Sequence, residues 1–204
     1  MEIKDRILSQ AQQLFMRNGI KSVSMDDIAA DLGMSKKTLY KWFENKDQIV
    51  EGVMTRHLLE AQHDCERMQA QATSAVDELF GMMNWMRQQF SEVHPSIFYD
   101  MQKFHPSTWQ LWLDHKQEYI LEQITDNLRR GMSEELFRAD LDVPVLARLR
   151  LAQIELAFNP DVFPPRQFDV QRLQQVIIEH YMLGIASLKG HKLINDLRHV
   201  TEQE

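Results

Sequence analysis

The feature that most constrains this 204-residue chain is a glycine turn between two short helical patterns within residues 24–46. Ser24 stands where its hydroxyl can cap the first helix, and its spacing to Asp27 resembles a capping box. Gly33 then ends that helix, because glycine tolerates the left-handed backbone of a tight turn. Ser35 is placed to cap the second helix. Two short helices joined in this way predict a helix-turn-helix.

The second helix of this pair has an apolar inner face and a basic outer face. Leu39 and Phe43 lie four positions apart, so both are expected to point inward. Lysines on the outer face would neutralise phosphates and release counterions, and hydroxyls would bond phosphates or base edges. The alternative is a small solvated three-helix unit with ordinary surface lysines. The outward residues are Lys36, Lys37, Thr38, Tyr40 and Lys41.

This part of the sequence resembles the DNA-binding domain of the tetracycline-repressor (TetR) family. The resemblance covers about the first quarter of the chain and is carried by Leu14-Phe15, Gly19, Ile28-Ala29, Leu32-Gly33, Ser35, Thr38-Leu39-Tyr40, Phe43 and Asn45-Lys46. It implies that the second helix faces DNA and that Lys46 binds a backbone phosphate. The DNA-binding residues expected from pattern and resemblance together are Ser24, Ser35, Lys36, Lys37, Thr38, Tyr40, Lys41 and Lys46.

The distribution of charge favours one DNA-facing domain on an acidic body. Residues 1–50 carry a net charge of +1, whereas the other 154 residues carry −8. The two add up to the overall net charge of −7. The acidic part should repel the phosphate backbone. DNA contacts are therefore expected only from the N-terminal domain.

The rest of the sequence has a helical pattern, with seven glycines and no alternating apolar run between hairpin turns. The expected fold is all-α, with a three-helix N-terminal domain joined by one long helix to a larger helical domain for ligand binding and dimerisation. The domains are expected at 1–50 and 51–190, followed by a polar tail at 191–204 that frays. The first helix is expected at about 2–17. After the helix-turn-helix, further helices are expected at about 45–70, 74–92, 95–106, 107–130, 142–158 and 168–189.

Aromatic and methionine side chains are concentrated between residues 80 and 119. Core packing explains each of them individually, whereas adaptable methionines and flat aromatic rings also suit an apolar pocket. The resemblance implies such a pocket, because TetR-family bodies commonly enclose a site for an inducer. The residues expected to line it are Met86, Phe90, Phe98, Met101, Phe104 and Trp112.

The segments 142–158 and 168–189 are expected to pair with their twofold mates as a four-helix bundle. The apolar stripe of the second segment is broad, and Gly184 and Ala186 would let a partner helix approach closely. A homodimer would place two recognition helices on a palindromic double-stranded DNA operator.

No sequence motif indicates catalysis, a cofactor or a metal site. The eight histidines are dispersed, and no HExxH, CxxC, GxSxG or P-loop pattern occurs. Cys65 is the only cysteine, so no internal disulfide can form and a reducing compartment fits. The N-terminal pattern is not that of a signal peptide, and no apolar run is long enough to span a bilayer. A soluble, cytoplasmic protein without membrane contacts is expected.

These features favour a transcriptional repressor that a small apolar or aromatic ligand releases from its operator. The first alternative is a regulator of the same fold that a protein partner controls. The second, from another class, is an all-helical enzyme or carrier that uses the aromatic cluster. A DNA-binding assay separates the enzyme from both regulators, and ligand-dependent release separates the two regulators.

Overall fold

A computed structural model describes residues 2–89 and 93–198, and every regular element in that part of the chain is a helix. The π-helical segment Lys116–Ile120 joins α7 to α8. The α-helices are α1 (Ile3–Asn18), α2 (Met25–Asp31), α3 (Lys36–Tyr40), α4 (Lys46–Gln71), α5 (Ala75–Gln89), α6 (Ile97–Phe104), α7 (Pro106–His115), α8 (Leu121–Ser133), α9 (Val143–Leu156), α10 (Val170–Ile185) and α11 (Leu188–Arg198). The expected all-α fold is confirmed.

The helices are divided between two compact units. The described residues of the first unit are 2–63 and 93–115, and those of the second are 64–89 and 116–198. Helix α4 is continuous, so its first part belongs to the first unit and its last part to the second. The single long helix expected between the domains is therefore present. The first unit nevertheless extends beyond the expected boundary at residue 50, and it includes α6 and α7.

The first unit encloses an apolar core built by α1 to α4 together with α6. Ile28 and Leu39 are fully buried in this core, as the helical pattern predicts. Ile97 and Met101 of α6 are four positions apart, and both are buried in the same core. The expected domain boundaries put α6 in the larger domain, whereas its apolar face packs within the helix-turn-helix unit.

Hydrogen bonds fasten the segment around α6 to the end of α1 and the loop that follows it. The Lys21 N–H donates to Asp100 Oδ2 at 2.9 Å, and Ser96 Oγ donates to the same oxygen at 3.0 Å. The His94 N–H donates to the Met16 carbonyl at 2.6 Å. The Lys21 and Ser96 donors satisfy the carboxylate of Asp100, which is buried and would otherwise be costly to desolvate.

The core of the second unit is formed by α5, α8, α9, α10 and α11 together with the connector after α8. Phe137 of this connector packs its ring directly against Gly131, and a Cβ at position 131 would overlap that ring. The Arg138 N–H donates to the Ile185 carbonyl at 3.0 Å. Ring packing and backbone bonding together hold the connector against the helices of this unit.

The chain after residue 188 differs from the fraying tail that was expected. Helix α11 occupies Leu188–Arg198, and Ile194 is fully buried in the second core. Gly190 faces the Leu136 carbonyl, where a Cβ would overlap the backbone. The expectation of a fraying polar tail is therefore wrong for residues 191–198. The inward positions Gly190 and Ile194 dock this mostly polar helix on the second core. Residues 199–204 lie outside the described part of the chain.

Several helix starts coincide with the capping residues found in the sequence. The Asp77 N–H donates to Ser74 Oγ at 3.1 Å at the start of α5. The Val145 N–H donates to Asp142 Oδ1 at 3.2 Å at the start of α9. The starts expected near residues 74 and 142 are therefore confirmed, since capping depends only on neighbours three positions apart.

Candidate nucleic-acid interface and candidate ligand site

The helix-turn-helix of the first unit consists of α2, a turn at Gly33 and α3. The Asp27 N–H donates to Ser24 Oγ at 3.1 Å, and the Ser24 N–H donates to Asp27 Oδ2 at 2.8 Å. Gly33 has a φ of +64°, the left-handed value that the turn requires. The Thr38 N–H donates to Ser35 Oγ at 3.1 Å. Ser24 and Ser35 therefore cap α2 and α3.

The outer face of α3 presents polar side chains that form no interaction with other described residues. Lys37, Tyr40 and Lys41 are exposed, and their side chains form no hydrogen bond or ion pair with other described residues. Leu39 and Phe43, on the opposite face, are 0% and 4% exposed. Unpaired cations and a free phenol on one helix face are available to phosphate oxygens and base edges.

Two further residues of this surface are engaged with the protein itself. Lys36 forms an ion pair with Asp26 of α2, and both side chains are more than half exposed. Thr38 Oγ1 lies 2.9 Å from Ser35 Oγ. An exposed ion pair contributes about 1 kcal/mol or less, so a phosphate can displace Asp26 from Lys36 at little cost.

Lys46 is turned into the protein. Its Nζ donates to the Ile20 carbonyl at 2.5 Å and lies 5.9 Å from the centre of the Phe15 ring. Burial lowers the pKa of this ammonium, although the carboxylates of Asp100 and Asp47 oppose the shift. Lys46 thus ties the start of α4 to the loop after α1, and its phosphate contact stays a prediction.

Residues 7–53 match the model of a family described as bacterial regulatory proteins, tetR family. This span begins within α1 and ends within the first part of α4, so it contains the whole helix-turn-helix and the open face of α3. Residues 7–53 therefore belong to the TetR family.

Two relatives match most of this chain. YvaF, an HTH-type transcriptional regulator of Bacillus subtilis, is 24% identical over 89% of this chain and 95% of its own length. The HTH-type transcriptional repressor KstR2 of Mycolicibacterium smegmatis is 26% identical over 71% of this chain and 72% of its own length. Both relatives are transcriptional regulators rather than enzymes. The protein described here is accordingly a DNA-binding transcriptional regulator.

A solved structure extends the likeness to the second unit. A transcriptional regulator from Saccharomonospora viridis, in complex with choline, aligns with a TM-score of 0.74 and 22% identity. The alignment covers 90% of this chain and 97% of that one. At this level of identity the likeness shows that the two chains share a fold over the aligned residues.

The residues expected to line a ligand pocket do not fall in one unit of the fold. The first unit holds Phe98, Met101, Phe104 and Trp112, the second holds Met86, and Phe90 lies outside the described residues. Met101 is 1% exposed within the first core, and the Phe98 and Trp112 rings meet edge to face with centroids 5.3 Å apart. Core packing accounts for these side chains, and their role in ligand binding stays a prediction.

Arg150 of α9 is a buried polar residue that the sequence motifs did not reveal. It is 4% exposed, and burial lowers the pKa of its guanidinium to about 10. Its Nη2 donates to Met86 Sδ at 3.9 Å, and its guanidinium carbon lies 5.5 Å from the centre of the Tyr181 ring. Arg150 shares the inward face of α9 with Ala147 and Leu151, so helical periodicity was the signal that could have revealed it.

Cys65 is a partly buried free thiol in the second unit. Burial and, to a smaller extent, the carboxylates of Asp64 and Glu66 together raise its pKa to about 11. It is therefore a thiol rather than a reactive thiolate at neutral pH. Within residues 2–89 and 93–198, no group of three His, Cys, Asp or Glu side chains could hold a metal ion. No helix in those ranges is long and apolar enough to cross a bilayer.

Proposed function

We propose that this regulator is a repressor that binds a palindromic operator as a homodimer and leaves it when a small molecule binds the second unit. The observation that carries the proposal is the open face of α3, where Lys37, Tyr40 and Lys41 lack partners among the described residues. A five-residue helix reads only a short half-site. Two copies, with half-sites about 34–36 Å apart, are needed to specify an operator. The relative KstR2 is a repressor, which supports the sign of regulation.

Selection of bound duplexes from a random pool tests the DNA-binding part of the proposal. We expect a palindrome to be enriched and its affinity to fall steeply with salt, because phosphate contacts release counterions. Lys37→Ala removes one cation from each protomer, so it should reduce the slope of log affinity against log salt by about two. Tyr40→Ala should weaken binding by about 1–3 kcal/mol if the phenol contacts a base.

Lys192→Ala is the matched control for Lys37→Ala. Lys192 is exposed on α11 and carries the same charge, but it lies far along the chain from the helix-turn-helix. Its replacement should leave the salt slope unchanged, and all three variants should unfold at the wild-type temperature. The proposal fails if no palindrome is enriched, or if Lys192→Ala lowers the slope as much as Lys37→Ala.

Exposed apolar residues on α9 and α10 support the homodimer. Val145, Leu149 and Leu156 follow one another at intervals of four and seven positions along α9, and all three are exposed. Val176 of α10 is 54% exposed. Soluble monomers rarely leave contiguous apolar surface uncovered. These helices correspond to the expected segments 142–158 and 168–189, although α11 follows them, so they are not the last two helices.

The continuity of α4 supports release by a ligand. Because α4 belongs to both units, a change in its last part can be transmitted along one helix to the helix-turn-helix unit. The ligand must prefer the conformation that does not bind DNA, and a coupling of about 1–3 kcal/mol is sufficient. The Saccharomonospora regulator holds choline, which supports a small-molecule site in this fold. Titration of the operator complex with stabilising ligands tests release, and control by a protein partner gains support if no ligand releases DNA.

A further inference from the structure

Helices α9 and α10 carry a group of polar atoms that have no hydrogen-bond partner among the described residues. These atoms are Arg150 Nη1, Gln153 Oε1, Gln174 Oε1 and Tyr181 Oη. Arg150, Gln174 and Tyr181 are each no more than 5% exposed. Buried polar atoms are nearly always paired. Several unpaired atoms on two helices of one unit therefore require an explanation.

The spacing of these residues brings them onto inward faces. Gln174 and Tyr181 are seven positions apart and lie on one side of α10, and Arg150 and Gln153 are three apart on α9. The Arg150 guanidinium lies over the Tyr181 ring, which joins the two helices directly. The Gln174 Nε2 donates to the Ile154 carbonyl at 2.9 Å, which leaves its amide oxygen as a free acceptor.

Arg150 is the charged member of this group, and no carboxylate among the described residues pairs with it. Its guanidinium donates to Met86 Sδ, which is a weak acceptor, at 3.9 Å. With a pKa of about 10 the group remains charged at neutral pH. Elsewhere in the same unit the buried Glu78 is compensated by Arg130 at 3.3 Å. An uncompensated buried cation is costly, because desolvation of a charge is normally offset by a counter-charge.

We propose that Arg150 is the anion-binding centre of the effector site and that the effector is a monocarboxylate with an apolar body. This inference rests on the proposed function, since it names the chemistry of the ligand that releases the operator. One guanidinium matches the single charge and the planar oxygens of a carboxylate, and the Tyr181 hydroxyl supplies a further donor. A phosphate dianion would bring a second charge without a cation to meet it.

Further inward positions of α9 and α10 are apolar. Leu151 on α9 and Ile178 and Met182 on α10 are buried and apolar. A ligand that lay against these side chains beside Arg150 would have an apolar body. The Saccharomonospora regulator holds choline, a cation, which the positive charge of Arg150 would repel. Choline is therefore a suitable negative control.

Thermal unfolding and calorimetric titration of the full chain test the inference. The probes are hexanoate, octanoate, decanoate, dodecanoate, benzoate and phenylbutyrate, each compared with the alcohol of the same carbon skeleton. We expect at least one carboxylate to raise the unfolding temperature in a saturable manner, whereas its alcohol and choline do not. The inference is overturned if no carboxylate stabilises the protein more than its alcohol.

Variants at the site separate a ligand-binding arginine from a structural one. Arg150→Met removes the charge but keeps a long flexible side chain, and Tyr181→Phe removes only the hydroxyl. Arg150→Met should weaken carboxylate binding roughly 10- to 100-fold, the loss of one charge-assisted contact. Without ligand it should unfold at a higher temperature than the wild type, because an uncompensated buried charge has been removed. Unchanged carboxylate affinity with a lower unfolding temperature would instead assign a structural role to Arg150.

Two further comparisons keep the outcome decisive. If Arg150→Met does not fold, Arg150→Lys and Tyr181→Phe take its place. Arg150→Lys keeps the charge but loses the planar fork. Unchanged carboxylate affinity in both variants overturns the inference. Operator titration separates the site from the switch. Carboxylate binding without operator release supports the site and contradicts ligand control, whereas operator binding with no carboxylate binding contradicts the site and leaves the repressor intact.

Discussion

The lysines of the candidate DNA-binding surface differ in the contacts that already hold them. Lys46 donates to the Ile20 carbonyl and Lys36 pairs with Asp26, whereas Lys37 has no partner among the described residues. DNA must displace an existing contact to reach Lys46 or Lys36, but not to reach Lys37. A phosphate bound by Lys37 therefore gains the full benefit of counterion release, and we expect Lys37 to dominate the salt dependence among the three.

Cys65 should react slowly with alkylating reagents in the folded protein. With a pKa of about 11, about one molecule in a thousand is thiolate at about pH 8. The rate of iodoacetamide labelling should rise about tenfold per pH unit beyond pH 9, because the thiol is still titrating there. The urea-unfolded chain is the control, and its labelling rate should level off near the ordinary cysteine pKa of about 8.5. A plateau below pH 9 in the folded protein would contradict this assignment.

Helix starts could be predicted from the sequence, because they depend on neighbouring residues. Ser24 and Ser35 stand three positions from the N–H groups that they accept from, so the caps of α2 and α3 follow from spacing alone. The place of α6 could not be predicted in this way. It depends on Asp100 meeting Lys21, which is 79 positions away. The aromatic richness of this region was compatible with either unit, so it did not reveal which core α6 joins.

The polar atoms of the second unit show a similar limit. Helical periodicity places Arg150 on the inward face of α9, but whether a carboxylate of the described residues lies beside it depends on what α5 and α10 contribute. Those helices supply Met86 and Tyr181 instead of an acid. A sequence pattern indicates which way a residue faces, whereas its partner is determined by chain segments distant in sequence.

The connector after α8 yields a stability prediction. Gly131→Ala should destabilise the protein by about 1–3 kcal/mol, because the new methyl group overlaps the buried Phe137 ring and the ring must move. Gly81→Ala in α5 is the matched control, since its nearest neighbour, Met68 Sδ, lies at an ordinary contact distance of 3.8 Å. That change should be neutral or stabilising by up to about 1 kcal/mol. Urea unfolding midpoints measure both, and equal midpoints would show that the connector tolerates the methyl group.

The proposed homodimer would use surfaces that a single protomer leaves open. The open face of α3 is too small to select an operator alone, and the exposed apolar residues of α9 and α10 are uncovered. A twofold pair satisfies both conditions at once, because it covers the apolar surface and doubles the recognition helix. Operator affinity should therefore fall in any variant that prevents pairing, even when each protomer folds normally.

Gly184 offers the sharpest test of that assembly. It is exposed on α10, and a Cβ at this position would meet no other atom within 4 Å, so the protomer itself can accommodate a side chain. Gly184→Arg should place bulk and charge where the partner helix is expected to approach, and sedimentation equilibrium should then show a monomer.

The control for this variant is Asn195→Arg, which adds the same side chain at an exposed position of α11. It should remain dimeric, and both variants should keep the helical circular dichroism of the wild type. Because a lone protomer presents one recognition helix, the Gly184→Arg variant should also lose the operator that the Asn195→Arg variant still binds. A Gly184→Arg dimer of wild-type affinity would place the interface elsewhere, and a wild-type monomer at micromolar concentration would rule out the homodimer itself.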